Sequence, residues 1–272
     1  MKINTNIVSL QTQNLLRKNS QELESHMTRL SSGKRINTAA DDAAGIAIAT
    51  RMDSKLRGMD VGIRNSNDGV SLVQTAESAL GSITNILQRM RELAVQSVNG
   101  TNNTTDQASL DGEYQQLISE IDHIADKTTF NGVQLLDGTG TDVAIQLSDV
   151  KGDTMSISLT DATASTGLSL SSDIKTDAGT TNTAIQEVDD AILKISNMRA
   201  EYGANLNRLN FNIDNMSSAS TNLSAAKSRI EDADMAKEVS EMTKNKVLVQ
   251  SGMAMLSQAN QNPQQITQLL QN

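Results

Sequence analysis

From Ile185 to Ile230, positions spaced alternately three and four residues apart are Ile185, Val188, Ile192, Ile195, Arg199, Tyr202, Leu206, Leu209, Ile213, Met216, Ser220, Leu223, Lys227 and Ile230. Eleven of these fourteen are apolar, whereas the overall hydrophobic content of 37% would place about five there. That alternation is the spacing of a coiled coil, and no proline interrupts it. At 1.5 Å per residue the segment makes a helix of ~70 Å, which cannot stand alone in water. It must lie against partners of similar length.

The N-terminal half supplies them. Between Leu56 and Val98 two adjacent apolar rows run side by side. Met59, Ile63, Val70, Val73, Leu80 and Leu87 make one, and Leu72, Ala76, Ala79, Ile83, Ile86, Met90 and Leu93 the other. A stripe this wide suits a helix that buries two faces. The loop Asn99 to Asn103 ends it, and Leu110, Tyr114, Leu117, Ile121 and Ile124 mark a second helix. After Asn131-Gly132 the period drops to two: Val143, Ile145 and Leu147, then Met155, Ile157 and Leu159, with Lys151-Gly152-Asp153 as the turn between them. Residues 160 to 183 are rich in Ser, Thr, Ala, Asp and Gly, too poor in apolar content for a domain of their own, and read as the return connection. The expected fold is mainly α, a long antiparallel coiled-coil bundle with a small β-hairpin region and paired N- and C-terminal helices.

Composition agrees with elongated helices. There are four aromatic residues, Tyr114, Phe130, Tyr202 and Phe211, and no Trp, so the usual suppliers of buried area are scarce. A net charge of -9 argues against binding nucleic acid or anionic lipid through a basic patch. Absence of cysteine excludes disulfides, thiolate metal sites and thiol catalysis. The first ten residues hold no apolar run of signal-peptide length and no later stretch approaches a bilayer span, so no membrane insertion is expected. The chain is then cytosolic or leaves by a route that cleaves no signal.

Both ends read as helices with thin apolar faces. Ile3, Ile7, Leu10, Leu16, Leu23, Met27 and Leu30 stand among many Asn, Gln and Ser near the start. Met235, Val239, Met242, Val249, Met253 and Leu256 mark one face near the finish, up to Asn262-Pro263. Neither has enough partner surface within the chain, so neighbouring molecules are expected to complete them. The methionines read either as coiled-coil filler or as an adaptable binding surface.

No catalytic or metal-binding pattern is present. His26 and His123 lie on different helices without a metal-ligand spacing, and both read as surface histidines. Asp41-Asp42 and Asp189-Asp190 read as acidic residues at or near helix starts rather than as catalytic pairs. Gly138-Thr139-Gly140 lacks the rest of either phosphate-binding loop and reads as a turn. No cofactor and no enzyme activity are expected.

The run Leu30-Ser31-Ser32-Gly33-Lys34-Arg35-Ile36-Asn37, followed by Asp41-Asp42-Ala43-Ala44-Gly45, resembles the bacterial flagellins. The likeness continues through residues 67 to 77, Leu87 to Gln96 and Phe130-Asn131-Gly132, and returns at Asn222 to Ile230 and Ala254 to Gln261. It covers roughly residues 1 to 137 and 182 to 272. The resemblance implies a short flagellin in five segments. Residues 1–42 and 232–272 form an inner-tube helix pair, 43–137 and 182–231 the outer-tube helices, and 138–181 the hairpin and Ser/Thr-rich loop in place of larger outer domains.

It further implies a structural, non-enzymatic subunit that leaves the cell unfolded through the flagellar type III export apparatus and polymerises into the extracellular filament for swimming. Its implied partners are other copies of itself, the flagellar cap and hook-junction proteins, and a secretion chaperone on Met235, Val239, Met242, Val249, Met253 and Leu256. Polymerisation is expected to use Ile3, Ile7, Leu10, Leu23, Met27, Leu30, Met242, Leu256 and Leu269. By residue-to-residue resemblance, Arg89, Leu93 and Glu113 match the contact centre seen by the animal Toll-like receptor for flagellin. The alternative there is a solvated Arg89–Glu113 ion pair with Leu93 packing between subunits.

Two rival functions are a hook-filament junction protein, which shares the terminal helices, and a cytosolic coiled-coil scaffold. The chain departs from the flagellin pattern at Asn272, where a basic residue is common, and at Val249 to Met253. Gly252 there either loosens the helix or lets another helix approach closely.

Overall fold

The computed structural model describes residues 6–171, 173–174 and 178–270, with side chains for all of these except 178 and 262–270. Five helices are present: α1 (Ile7–Ser32), α2 (Ala43–Ser97), α3 (Thr104–Lys127), α4 (Ala178–Glu231) and α5 (Met235–Leu270). Four short strands fall between α3 and α4: β1 (Thr129–Phe130), β2 (Val133–Gln134), β3 (Val143–Gln146) and β4 (Thr154–Ile157). The chain divides into two compact units, residues 57–220 and residues 1–56 with 221–272, and α2 and α4 supply a segment to each.

The unit of residues 57–220 holds the apolar core. Leu80, Ile83, Leu87, Met90 and Leu93 of α2, Tyr114 and Ile121 of α3, and Val188, Ile195, Tyr202 and Leu209 of α4 are all buried in it. Burial of large aliphatic side chains contributes ~1.5–3 kcal/mol each, and here it offsets the entropy of ordering very long helices. α2 and α4 run antiparallel, as their cross-links show. Ser66 meets Asn212, Glu77 meets Arg199, and Arg91 meets Asp189. The polar position Arg199 within the apolar repeat is thus an ion pair at 2.7 Å from Glu77.

Asp189 differs from its sequence reading. It lies well inside α4, not at a helix start, and its carboxylate takes the Arg91 guanidinium at 2.7 Å. The sequence missed this because a helix of this length begins earlier than its apolar repeat, at Ala178.

The period-two segment forms the expected antiparallel hairpin, with Val143 opposite Ile157 and Gln146 opposite Thr154. Its inward residues Met155 and Ile157 are buried. The hairpin sits on a face of α2 from which side chains have been removed. A Cβ at Gly58 would come within 2.5 Å of Asp149, and one at Gly62 would run into the Leu147 carbonyl. One turn on, Asn65 Nδ2 donates to the Gln146 carbonyl at 3.2 Å.

A second, smaller hairpin joins β1 to β2 through Asn131 and Gly132, both at positive φ, the backbone of a two-residue turn that this dipeptide favours. The return connection is more firmly packed than its composition suggests: Ala162, Ala164, Leu168, Leu170 and Ile174 enter the core. Around Ile174, buried polar groups secure the main chain. Asp111 accepts from the Ile174 amide at 3.0 Å, and Ser97 Oγ donates to its carbonyl at 2.6 Å.

The two buried tyrosines differ in one respect. Tyr202 shares a hydrogen bond with Thr160 at 3.1 Å, whereas the buried Tyr114 hydroxyl has no partner among the described residues. Burial, reinforced by the charges of Glu187 and Asp111, pushes the Tyr114 phenol above its ordinary range. A buried hydroxyl with no partner costs about as much as a made hydrogen bond contributes. Tyr114→Phe is therefore expected to stabilise this unit by about 1 kcal/mol and Tyr202→Phe to destabilise it by about 1 kcal/mol. Urea unfolding followed by circular dichroism checks this, and a reversed order would show the hydrogen bonding to be wrong.

Candidate functional site

The other unit contains the chain's two terminal helices. Asn6 caps α1 by accepting from the Ser9 amide at 3.2 Å, and Gly33 ends it in the left-handed conformation at φ 71°. Asp234 caps α5 through the amides of Ala236 and Lys237. Between them α2 opens on Asp42, whose carboxylate accepts from the Gly45 amide at 2.9 Å. Asp41 accepts from Thr38 and then Asn37, and these hydrogen bonds hold its carboxyl below the usual carboxylate range. At the end of α4, Lys227 fills its polar place in the repeat by pairing with Asp53 at 2.5 Å.

α1 and α5 pair antiparallel. Ser9 meets Asn260, Asn6 donates to the Ala259 carbonyl at 2.8 Å, and His26 meets Glu238 at the other end. Seen by burial, the seam on α1 runs through Ser9, Thr12, Leu16, Asn19, Leu23, His26 and Leu30. On α5 it runs through Glu238, Met242, Asn245, Val249, Gly252, Leu256 and Ala259.

Both series keep the alternating three-four spacing, but every second seam position is polar or small. That is why the terminal repeats look weak in the sequence, and why α1 contains no fully buried residue. The backbone of α5 continues through Pro263 to Leu270, beyond the point where its apolar face had been read to end.

This seam sorts the expected assembly residues into two sets. Leu23, Leu30, Met242, Val249 and Leu256 are half-buried and face the partner helix. Ile7, Leu10 and Met27 on α1, with Met235, Val239 and Met253 on α5, are exposed. Val8, Leu15, Val247, Leu248 and Met255 join them. Ile3 lies outside the described residues, and the side chain of Leu269 is likewise not described. Reading each end as one apolar face merged seam residues with exposed ones.

His26 is a correction. Its side chain is 18% exposed and its Nδ1 lies 2.5 Å from Glu238 Oε2, so it is a seam residue and not a surface one. His123 stays on the surface, 62% exposed.

At Gly252 the side chain of the facing helix lies close to the backbone: a Cβ there would meet Leu16 Cδ1 at 3.3 Å. Of the two readings of this glycine, close approach is the one realised.

The second candidate site lies in the unit of residues 57–220. α3 starts on a capping box, with Asn103 accepting from Asp106 N and Asp106 accepting from Asn103 N. That start places Glu113 against α2, where Arg89 donates to it at 2.8 and 3.0 Å and to Glu92 at 3.2 Å. The bond to Glu113, then that to Glu92, raises the guanidinium above its ordinary pKa. Leu93 does not join this surface. It is fully buried, a correction to its place beside Arg89, because α2 buries two faces and Leu93 lies on one of them. The four-residue spacing puts the two on adjoining parts of the helix without exposing both.

Among the described residues no group of acidic or histidine side chains could hold a metal ion, and no helix is long and apolar enough to cross a membrane. What the fold and this site define is a helical subunit whose terminal pair carries apolar side chains on its outside, the make-up of a self-assembling protein.

The family descriptions "Bacterial flagellin N-terminal helical region" and "Bacterial flagellin C-terminal helical region" match residues 3–141 and 185–270. The chain belongs to the bacterial flagellin family, the structural subunits of the flagellar filament, an extracellular appendage. It is 46% identical to the flagellin of Listeria monocytogenes, over 99% of each chain, and 41% identical to that of Bacillus subtilis, over 99% of this chain and 100% of the other.

The crystal structure of Bacillus cereus flagellin is 51% identical, with a TM-score of 0.53, and the match covers 60% of this chain and 94% of that one. A putative flagellar hook-associated protein from Vibrio parahaemolyticus has a TM-score of 0.61 at 15% identity, over 71% of this chain and 100% of that one. At that identity the likeness is one of fold alone.

The seam geometry makes a test of Gly252. Gly252→Ala removes a helix penalty of about 1 kcal/mol and needs only a small shift of the flexible end of Leu16, so filaments should melt at the same or a higher temperature. Gly252→Val adds branched bulk toward Leu16 and should lower the pairing free energy by ~1–3 kcal/mol. Thermal dissociation followed by circular dichroism distinguishes them; equal effects would mean that Leu16 does not abut this position.

Proposed function

We propose that the terminal helix pair is the element through which this flagellin polymerises, residues 1–42 and 232–272 forming the inner part of the filament. Residues 43–137 and 182–231 form the outer helices around it, and 138–181 the outermost cover. The observation that carries the reading is the exposure of large apolar side chains on α1, Ile7 at 65% and Val8 at 64% among them. Large apolar side chains left exposed on a helix whose other face is already paired mark an interaction site, and a head-to-tail contact between identical copies extends into a filament. The exported chain would pass the flagellar type III apparatus and meet the cap and hook-junction proteins during growth.

The exposed thioethers Met235 and Met253, with Val239 between them, suit a secretion chaperone that must adapt to a helix before assembly. Met242, Val249 and Leu256 face α1 and would reach a chaperone only while the pair is open. Deleting residues 233–272 should leave a soluble monomer that no longer sediments with filament seeds and no longer retains the chaperone. Normal sedimentation of the truncated chain would show that assembly uses another surface.

We also infer that Arg89 and Glu113 form the centre of a surface recognised by the animal Toll-like receptor for flagellin, with Glu92 beside them and Leu93 supporting the helix from below. A half-exposed arginine held by two carboxylates from adjoining helices is a pre-arranged recognition group. In a receptor reporter assay on monomer, Arg89→Ala with Glu113→Ala should raise the concentration for half-response at least tenfold, about 1.4 kcal/mol at the binding step. Full signalling by the double variant, or silence from the native monomer, removes the claim.

A further inference from the structure

We propose that the buried layer formed by His26 and Glu238, braced by Arg29, sets the register of the terminal helix pair. The inference rests on the pairing of α1 with α5 and adds what selects one alignment of the two helices over its neighbours.

Apolar packing cannot make that selection. The apolar seam residues Leu16, Leu23 and Leu30 recur every seven residues, as do Met242, Val249 and Leu256 opposite them. Sliding one helix past the other by seven residues sets leucine against the same class of side chain again, so the apolar layers match nearly as well after the slip. The main-chain clasp at the base of the pair does not decide it either. Ala233 N donates to the Gly33 carbonyl at 3.0 Å and Arg35 N to the Glu231 carbonyl at 2.6 Å. These bonds join backbone groups, and the ion pair beside them, Lys34 with Glu231 at 2.5 Å, is made by a half-exposed lysine and contributes little to selecting an alignment.

The polar layer does discriminate. Glu238 is 9% exposed, and its carboxylate is met by His26 at 2.5 Å and by Arg29 Nη1 at 3.8 Å. Arg29 also reaches Asp41 at 3.6 Å, so the charged groups facing this point come from α1, α5 and the segment leading into α2. A slip of seven residues brings Glu238 opposite the place of Asn19 or Gly33, neither of which carries a charge. A carboxylate buried without its cation is strongly unfavourable, and a polar group at one seam position is the best-attested way for a coiled coil to fix its alignment. Slips of four residues place Glu22 or Leu30 there, which are no better.

The absence of cysteine allows a direct measurement on the full chain. Leu16→Cys is combined in turn with Gly252→Cys for the native register, and with Asn245→Cys or Ala259→Cys for a slip of seven either way. Each chain is polymerised onto seeds and oxidised. Intramolecular disulfides are then counted by the faster migration of the monomer band on a denaturing gel. In the native background the 16/252 disulfide should exceed each of the others at least tenfold. His26→Leu with Glu238→Leu, which keeps the layer packed and apolar, should bring one slipped disulfide to within about threefold of it.

Removing the exposed pair Lys18–Glu22 on the same helix, by alanine at both, should leave the ratio unchanged. An undiminished preference for 16/252 in the double-leucine chain overturns the proposal and assigns register to the clasp. A native chain that forms all three disulfides equally overturns it as well. Sedimentation of the same samples reports assembly separately: filaments without any of the three disulfides would refute the helix pairing on which the inference rests.

Discussion

Two helices of 55 and 54 residues, α2 and α4, make the unit of residues 57–220 possible only by lying antiparallel against each other. Neither has a composition that would hold it helical alone, and neither brings many large side chains. The core is a long line of leucine, isoleucine and alanine from both, completed by α3 and by the chain that covers it. A line has little depth, so everything else in the unit is fitted to that contact. The glycines of α2 let a hairpin come down onto the helix backbone. The return connection contributes its alanines and leucines, and Asp111 and Ser97 hold its main chain where Ile174 enters the core. The surface ion pairs Arg199–Glu77 and Arg91–Asp189 add modest energy but agree with one alignment of the two helices.

The terminal pair follows the same geometry with the opposite emphasis. It has the coiled-coil spacing, yet alternate seam positions are filled by His26, Asn19 and Thr12 on one side and Glu238, Asn245 and Gly252 on the other. Among the described residues, most of its large apolar side chains are exposed instead of lining the seam. On the assembly proposed above, a helix pair made this way is held weakly within one chain and leaves its exposed apolar side chains for other copies to cover. That is a suitable arrangement for a subunit that must travel before it assembles. Flagellins of Listeria and Bacillus align with it over nearly the whole length, terminal helices included.

Much of this was legible in the residues. The apolar repeat from Ile185 to Ile230 gave α4 and its need of a long partner, while the structure supplies the reason for two of its three polar exceptions, Arg199 and Lys227, where carboxylates of α2 come across. The period-two segments gave β3 and β4. What could not be read depended on which of two nearby rows turns inward. Along α5, the residues spaced three and four apart from Met235 look like one stripe. In the structure the seam is shifted to begin at Glu238, because a buried charge can occupy a core position when histidine and arginine meet it. Leu93 was misplaced for a related reason: on a helix with two buried faces, a spacing of four from an exposed arginine does not guarantee exposure. The Asn131-Gly132 hairpin was present as a dipeptide, but its strands of two residues each are too short to show a period.

All four aromatic residues, Tyr114, Phe130, Tyr202 and Phe211, fall in the unit of residues 57–220. With no tryptophan anywhere in the chain, ultraviolet absorbance, tyrosine emission and near-ultraviolet circular dichroism all originate in that unit. The terminal helices are optically silent by these methods. A chain could have its first fifty and last fifty residues paired or unpaired and show the same aromatic spectrum. A single tryptophan placed on α5 would be the first chromophore able to see the terminal helices.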